Sequence, residues 1–259
     1  TVEITLHTPT PYFLEVCAFP TFMPVRQDIV EANGEAWATK QETYIGNGPY
    51  KIIEWVEGSH ITMQKNENYW EYNKLGTDKI KFVLMEEDTS ILSAYKNKEI
   101  LFADTVPTDE MDALKKQKDF HLEGQLGTYY VSFNVKKPPL DNPKVRQALI
   151  LAVDRDYIVK QIGKAGQVPA GAYVPLGLTD SDLKKEFREV GGDYFDPTAA
   201  ANEANLKKAK ELLAEAGYPD GKGLPTMEYI FNEGSGHQAI GEALQNMWKE
   251  IGVNVTLSS

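Results

Sequence analysis

Cysteine is all but missing from this sequence. With Cys17 as its single thiol, the chain has no pair from which to form an internal disulfide. That usage fits the cytosol, and equally a bacterial surface or periplasm. Cys17 lies in the apolar run LEVCAF, with nothing nearby to generate a thiolate, so a small buried hydrophobe is expected. Long apolar runs are missing too: none approaches the roughly 18 residues that a bilayer-spanning helix requires. Basic residues are in deficit, 27 Lys and Arg against 38 Asp and Glu, for a net charge of −11. The runs Lys115-Lys116, Lys184-Lys185 and Lys207-Lys208 are short and sit among acids. A phosphate backbone would be repelled, and nucleic acid is not expected as a partner.

Metal-ligand spacing is also lacking. His7, His60, His121 and His237 are far apart, none pairs at i,i+3 or i,i+4, and there is no CxxC or HExxH. The histidines are read as surface or turn residues, with no metal and no cofactor expected. Glu233-Gly234-Ser235-Gly236-His237 is not a nucleophile elbow, because a glycine directly precedes the serine. It reads as a strand-to-helix turn in which Ser235 caps the helix, with anion binding by free amides as the lesser alternative. Gly46-Asn47-Gly48-Pro49 lacks the third glycine of a dinucleotide loop and precedes a strand, so it reads as a turn. The acidic run Glu86-Glu87-Asp88 reads as a solvated face. No motif argues for an enzyme, so no catalytic residue is assigned.

What is present is a folded composition, 42% apolar and 25% charged, with no internal repeat. Alternation predicts a strand over Thr1 to Leu6 and another over Val253 to Leu257. With strands at both ends, the chain is expected to be a piece of something longer. Between them, strands are predicted over 50–56, 61–65 and 79–85, punctuated by Glu57-Gly58 and Gly76. A helix over about 90–98 and an acidic strand-turn over 100–105 follow, with Thr108 as the N-cap of the next helix. A strand is expected over 128–134 (TYYVSFN). Helices then dominate, notably 203–216, with Leu206, Ala209, Leu213 and Ala216 on one face and Gly217 and Pro219 as its stop. A strand at 227–231, a helix at about 238–250 and the last strand make a βαβ unit. The class is α/β, with a more antiparallel portion before residue 126.

The stretch Phe133 to Val159, FNVKKPPLDNPKVRQALILAVDRDYIV, carries the densest punctuation. Asn142 is placed to cap a helix that Pro143 begins, burying Val145, Ala148, Leu149 and Ala152. Asp154 is placed to cap a second helix to Ile162, with Tyr157 and Ile158 turned inward. Arg146 and Arg155 each have acids within reach and are read as ion-pairing the helix corner.

That stretch resembles a hallmark of the family 5 extracellular solute-binding proteins: an Asn strand, a Pro-rich turn, V-R-x-A-L and a D-R pair. Gly46-Asn47-Gly48-Pro49-Tyr50 with Trp55 resembles the family's G-x-G-P-Y…W element, and Asn68-Tyr69-Trp70 its N-x-x-Y-W motif. AKELLAEAGY (Ala209 to Tyr218) and the closing LQNMWKEIGVNVTL resemble two further elements. The resemblance runs along essentially the whole chain.

It implies an α/β, periplasmic-binding-protein-like type II two-lobe fold, present here as an incomplete fragment. Residues 1–24 would end a small extra domain, 25–126 would be the middle part of the first lobe, and 127–259 the first half of the second. The implied function is capture of oligopeptides between two lobes and delivery to the permease subunits of an ABC importer, with no bond broken. The implied ligand-binding residues are Tyr129 and Tyr130 at the lobe crossing, Asn134, and Lys164 and Tyr173. Tyr130 matches a pocket-lining tyrosine, and Lys164 adjoins the register (Gly163) where some members hold the peptide carboxylate. The residue holding a peptide's amino terminus would lie outside this chain. The implied location is extracytoplasmic, as a cell-surface lipoprotein or in a periplasm, with membrane contact only through the permease or a lipid anchor elsewhere. The T-Y-Y strand and a proline–aromatic stretch near the N terminus resemble the oligopeptide branch. Dipeptide, nickel chelate, haem and sugar remain alternatives, as do a hydrolase using Ser235 or a carboxylate pair and an interaction protein meeting permease or peptidoglycan.

Overall fold

The computed structural model describes residues 3–259, with Ser235 described by its backbone alone. The chain divides into two compact units, Thr1–Met85 and Glu86–Ser259.

In the first unit two short helices, α1 (Phe13–Val16) and α2 (Gln27–Asn33), precede an antiparallel sheet of β1 (Tyr50–Val56), β2 (His60–Lys65) and β3 (Lys79–Val83). Tyr50 pairs with Lys65 and Val56 with His60, with a bulge between Ile52 and Glu54. Gly58 turns the hairpin at φ 67°, a conformation that costs other residues steric strain. Buried Asn66 joins two of the sequence motifs. Its amide nitrogen Nδ2 donates to Gly48 O at 2.9 Å, its backbone N–H to Pro49 O at 2.8 Å, and its Oδ1 accepts from Asn68 N at 3.1 Å. The Gly46–Pro49 turn is thereby tied to the Asn68-Tyr69-Trp70 corner through a satisfied buried amide.

The second unit contains α3 (Asp88–Lys96), α4 (Met111–Leu114) and α5 (Pro143–Leu151). Next come α6 (Arg155–Tyr157), which continues as a π-helix over Ile158–Gly163, then α7 (Phe187–Gly191) and α8 (Asn202–Glu215). Strands β4 (Met227–Ile230) and β5 (Val255–Ser258) flank α9 (Ser235–Lys249). β4 and β5 pair in parallel, Met227 with Val255 through Ile230 with Ser258, so the βαβ unit forms as expected. The core joins Val145, Ala148, Leu149 and Ala152 of the α5 region to Ala209, Leu212 and Leu213 of α8 and Leu244, Trp248, Ile251, Val253 and Val255 beyond. Each fully buried side chain of Leu213's size contributes about 1.5–3 kcal/mol relative to exposure. The Trp248 indole, buried in this core, donates to Leu149 O at 2.9 Å and ties α9 to α5.

The punctuation behaves as its chemistry dictates. Asn142 Oδ1 accepts from Lys144 N at 2.9 Å, and Asp154 Oδ1 accepts from Tyr157 N at 2.9 Å. After α8, Gly217 at φ 93° lets its own N–H reach Ala214 O and the Tyr218 N–H reach Leu213 O, satisfying two terminal carbonyls.

Several expectations are corrected. Residues 3–6 are exposed coil rather than strand, with no described strand paired to them; Thr1 and Val2 lie outside the described residues. Residues 100–105 are also irregular. Thr108 caps nothing: α4 begins at Met111 behind Glu110, with no side-chain cap. The stretch 128–134 belongs to no ladder, because no described strand pairs with it. Cys17 is half-buried rather than buried, and Tyr157 is exposed while Ile158 packs on the core. The ion-paired corner is replaced by carbonyl capping. Arg146 donates to Leu140 O at 2.7 Å and Asp141 O at 3.0 Å, and Arg155 to Ile150 O and Val153 O, both at 3.0 Å. The turn before α5 (Leu140, Asp141) and the end of α5 (Ile150, Val153) hold backbone oxygens in fixed places, and a forked guanidinium bonds two of them at once. Arg155 also stacks on Phe195, 4.5 Å from the ring centroid.

Candidate functional site

The site begins with the extended segment 128–134. Alternate residues point to opposite sides of an extended chain. Val131 and Phe133 pack against the core of the second unit, while Tyr130, Ser132 and Asn134 do not. Tyr129 shares the parity of Val131 but projects past the core's edge. The Thr128 hydroxyl donates to Tyr173 O at 2.7 Å and holds the 164–177 loop beside the segment.

Two aromatic pairs follow from this placement. Tyr130 meets Tyr173 edge-on, with ring centroids 5.3 Å apart. The neighbouring Tyr130 phenol raises that of Tyr173, through their electrostatic repulsion and a shared hydrogen bond. On the other side, the Tyr129 hydroxyl lies 2.8 Å from His237 Nδ1, and the two rings stack at 5.7 Å and 21°. Tyr129, Tyr130 and Tyr173 are 57%, 59% and 63% exposed. They are anchored yet open, the state suited to contacting another molecule.

Beneath Tyr129 the polarity falls away. Burial pushes the Tyr229 phenol up to about 12, with the adjacent Tyr129 adding to the effect. Tyr229 stacks on Phe231 at 5.9 Å and meets Trp248 edge-on at 6.2 Å. A side chain at Gly241 would meet the Tyr229, Phe231 and Leu257 side chains at 3.3–3.5 Å, so glycine there lets α9 close on this aromatic column. A crevice of about 50 Å³ runs between Val131-Ser132-Phe133 and Met227-Glu228-Tyr229. It has room for a few waters and none for a peptide.

The other expected residues lie elsewhere. Asn134 is a turn residue: its Oδ1 accepts from Lys136 N at 3.3 Å and its carbonyl from Lys137 N at 3.0 Å. Lys164, at φ 53° after the π-helix, holds its amine 3.3 Å from Asp112 Oδ2 on α4. The structure thus brings Tyr130 to Tyr173, gives Tyr129 a partner 108 residues away in His237, and leaves Asn134 and Lys164 in contacts of their own. His237 and Tyr229 were missed. Their signal was positional: His237 is in the first turn of α9, directly after the carboxyl end of β4, where parallel α/β units collect ligand-facing loops. The helix-capping role expected of Ser235 concerns a side chain outside the described residues. Among the described residues no three His, Cys, Asp or Glu side chains form a group that could hold a metal, and no helix is long and apolar enough to cross a membrane.

Comparison with known proteins agrees with this architecture. Residues 1–259 match the family described as bacterial extracellular solute-binding proteins, family 5 (middle). The dipeptide-binding protein DppE of Bacillus subtilis is 34% identical over 100% of this chain and 46% of its own length. The oligopeptide-binding protein OppA of the same organism is 34% identical over 100% of this chain and 47% of its own. The crystal structure of the periplasmic oligopeptide-binding protein OppAIV of Borrelia burgdorferi superposes with a TM-score of 0.86 at 30% identity, over 98% of this chain and 48% of that one. The chain therefore spans about half the length of the relatives it matches. Its α/β class is that of the type II periplasmic binding proteins, and the relatives are named for binding rather than for catalysis. The chain belongs to family 5 of the bacterial extracellular solute-binding proteins.

Proposed function

We propose that this chain is part of an extracytoplasmic binding protein of an ABC importer, one that captures oligopeptides in a cleft between two lobes and delivers them to membrane permease subunits. The observation that carries the reading is the surface of Tyr129, Tyr130 and Tyr173, rings more than half exposed yet fixed by His237, by each other and by Thr128. It borders a segment, 128–134, whose backbone belongs to no ladder. Extended backbone outside any described ladder, beside fixed aromatic faces, suits a peptide, whose repeating unit is an amide and whose side chains vary.

In this reading Tyr129, Tyr130, Asn134, Lys164 and Tyr173 contact the ligand, and His237 holds Tyr129 in place. Residues 1–24, 25–126 and 127–259 are portions of an extra domain, a first lobe and a second lobe. The protein works outside the cytoplasm, in a periplasm or at the cell surface through a lipid anchor, and it has no catalytic role. Calorimetric titration of the full-length protein with tri-, tetra- and penta-alanine tests this. Saturable binding with every peptide recovered intact is expected; hydrolysis of the peptide would favour the hydrolase instead.

A further inference from the structure

We propose that His237 fixes the Tyr129 phenol as a hydrogen-bond acceptor, so that this point of the surface selects an N–H donor on the ligand. The inference rests on the binding function proposed above and names a chemical preference within that site.

The Tyr129 hydroxyl and His237 Nδ1 are 2.8 Å apart, a hydrogen bond whose direction depends on which atom carries the proton. In the neutral imidazole one ring nitrogen carries the proton and the other accepts. A phenol is the stronger donor and an imine-type nitrogen the stronger acceptor, so the favoured arrangement sends the phenol proton to Nδ1 and leaves the ring proton on Nε2. Stacking of the two rings at 21° limits the phenol's freedom to tilt away. The hydroxyl has only one proton. Once it is committed to His237, the oxygen can offer only lone pairs to anything else. Tyr229, which keeps its own proton because burial raises its phenol, is the neighbour on the core side. Tyr229 is hydrogen-bonded to Tyr129, and Tyr129 is 57% exposed, which leaves its solvent side open to a ligand. A ligand carbonyl or carboxylate placed there would meet lone pairs; a backbone amide or an ammonium would be matched.

His237 is a positioning residue in this scheme: it acts through Tyr129. Four variants of the full-length protein test it, Tyr129→Phe, His237→Phe, the double variant and His237→Gln, each titrated with tetra-alanine and with its single N-methyl derivatives. Loss of one hydrogen bond is expected to weaken tetra-alanine binding roughly fivefold in Tyr129→Phe. His237→Phe is expected to do the same, because its phenol is no longer oriented. The double variant should be no weaker than the worse single. His237→Gln, whose side-chain carbonyl can take the phenol proton, should recover most of the affinity, which a merely space-filling histidine would not predict. One N-methyl derivative should bind worse than tetra-alanine to the wild type and no worse than it to Tyr129→Phe. Multiplicative losses in the double variant, or an N-methyl pattern unchanged by Tyr129→Phe, would overturn the inference while leaving peptide binding intact. Failure of the wild type to bind any of these peptides would overturn both this inference and the function on which it rests.

Discussion

Replacing Arg155 with alanine should loosen the second unit without touching the tyrosine surface. The guanidinium donates to Ile150 O and Val153 O, each at 3.0 Å, and covers the face of Phe195 at 4.5 Å. Burial lowers its pKa to about 10, which leaves it charged at neutral pH. Removing it takes the guanidinium donor from two part-buried carbonyls, leaving Ile150 O with backbone donors alone, at about 1–3 kcal/mol in total, and a cation–π contact adds about 0.5–1 kcal/mol. The sum, about 1.5–4 kcal/mol, falls on the packing of α5 against α8. Hydrogen exchange read by mass spectrometry is the suitable assay, because it reports on α5 and α8 separately from the first unit. A loss of about 3 kcal/mol accelerates exchange through unit-wide opening by about two orders of magnitude. Arg155→Lys keeps the charge but not the fork, and should recover less than half of the loss. Acceleration below about threefold in Arg155→Ala, the range of an ordinary surface change, would refute the carbonyl-capping account. So would full recovery by lysine, because charge alone would then suffice.

Two further outcomes follow from the same core. Gly252→Ala should destabilise the second unit by more than about 2 kcal/mol, because Gly252 has φ 81° and an added Cβ would lie 2.0 Å from Asp220 O; urea unfolding of the variant equal to wild type would contradict this contact. Tyr229 should titrate late. Its folded phenol is raised to about 12 from an unfolded value near 10, so its stabilising contribution is complete below pH ~10 and is lost as pH rises towards 12. Ultraviolet difference titration should show a late ionising component that vanishes in Tyr229→Phe, and a late component that persists in the variant would assign it elsewhere.

How much of this was legible in the sequence depended on the range of the interactions. Caps are local, and Asn142, Pro143, Asp154 and Gly217 took the roles their chemistry implies. The amphipathic face of α8 and the β1–β2–β3 sheet, built from neighbouring segments, were equally readable. The segment 128–134 has the alternation of a strand, but alternation reports which side is apolar and not whether a partner lies alongside. Arg146 and Arg155 were read as pairing with acids, since sequence displays side chains and hides the carbonyls that hold these two. The central polar contact of the site joins positions 108 residues apart, so neither Tyr129 nor His237 announces the other. Nothing local in the sequence marks Asn66 as buried, and only the fold reveals it as the tie between two motifs.

The central claim is that ligand is held between two lobes, of which this chain supplies only part of the lining. Parallel calorimetric titrations of the full-length protein and of the 259-residue chain with tri-, tetra- and penta-alanine test it most directly. The account predicts saturable binding of intact peptide by the full-length protein and a large loss of affinity in the 259-residue chain. Equal affinities would contradict it, because the portions of the lobes in this chain would then bind peptide without the rest of the cleft.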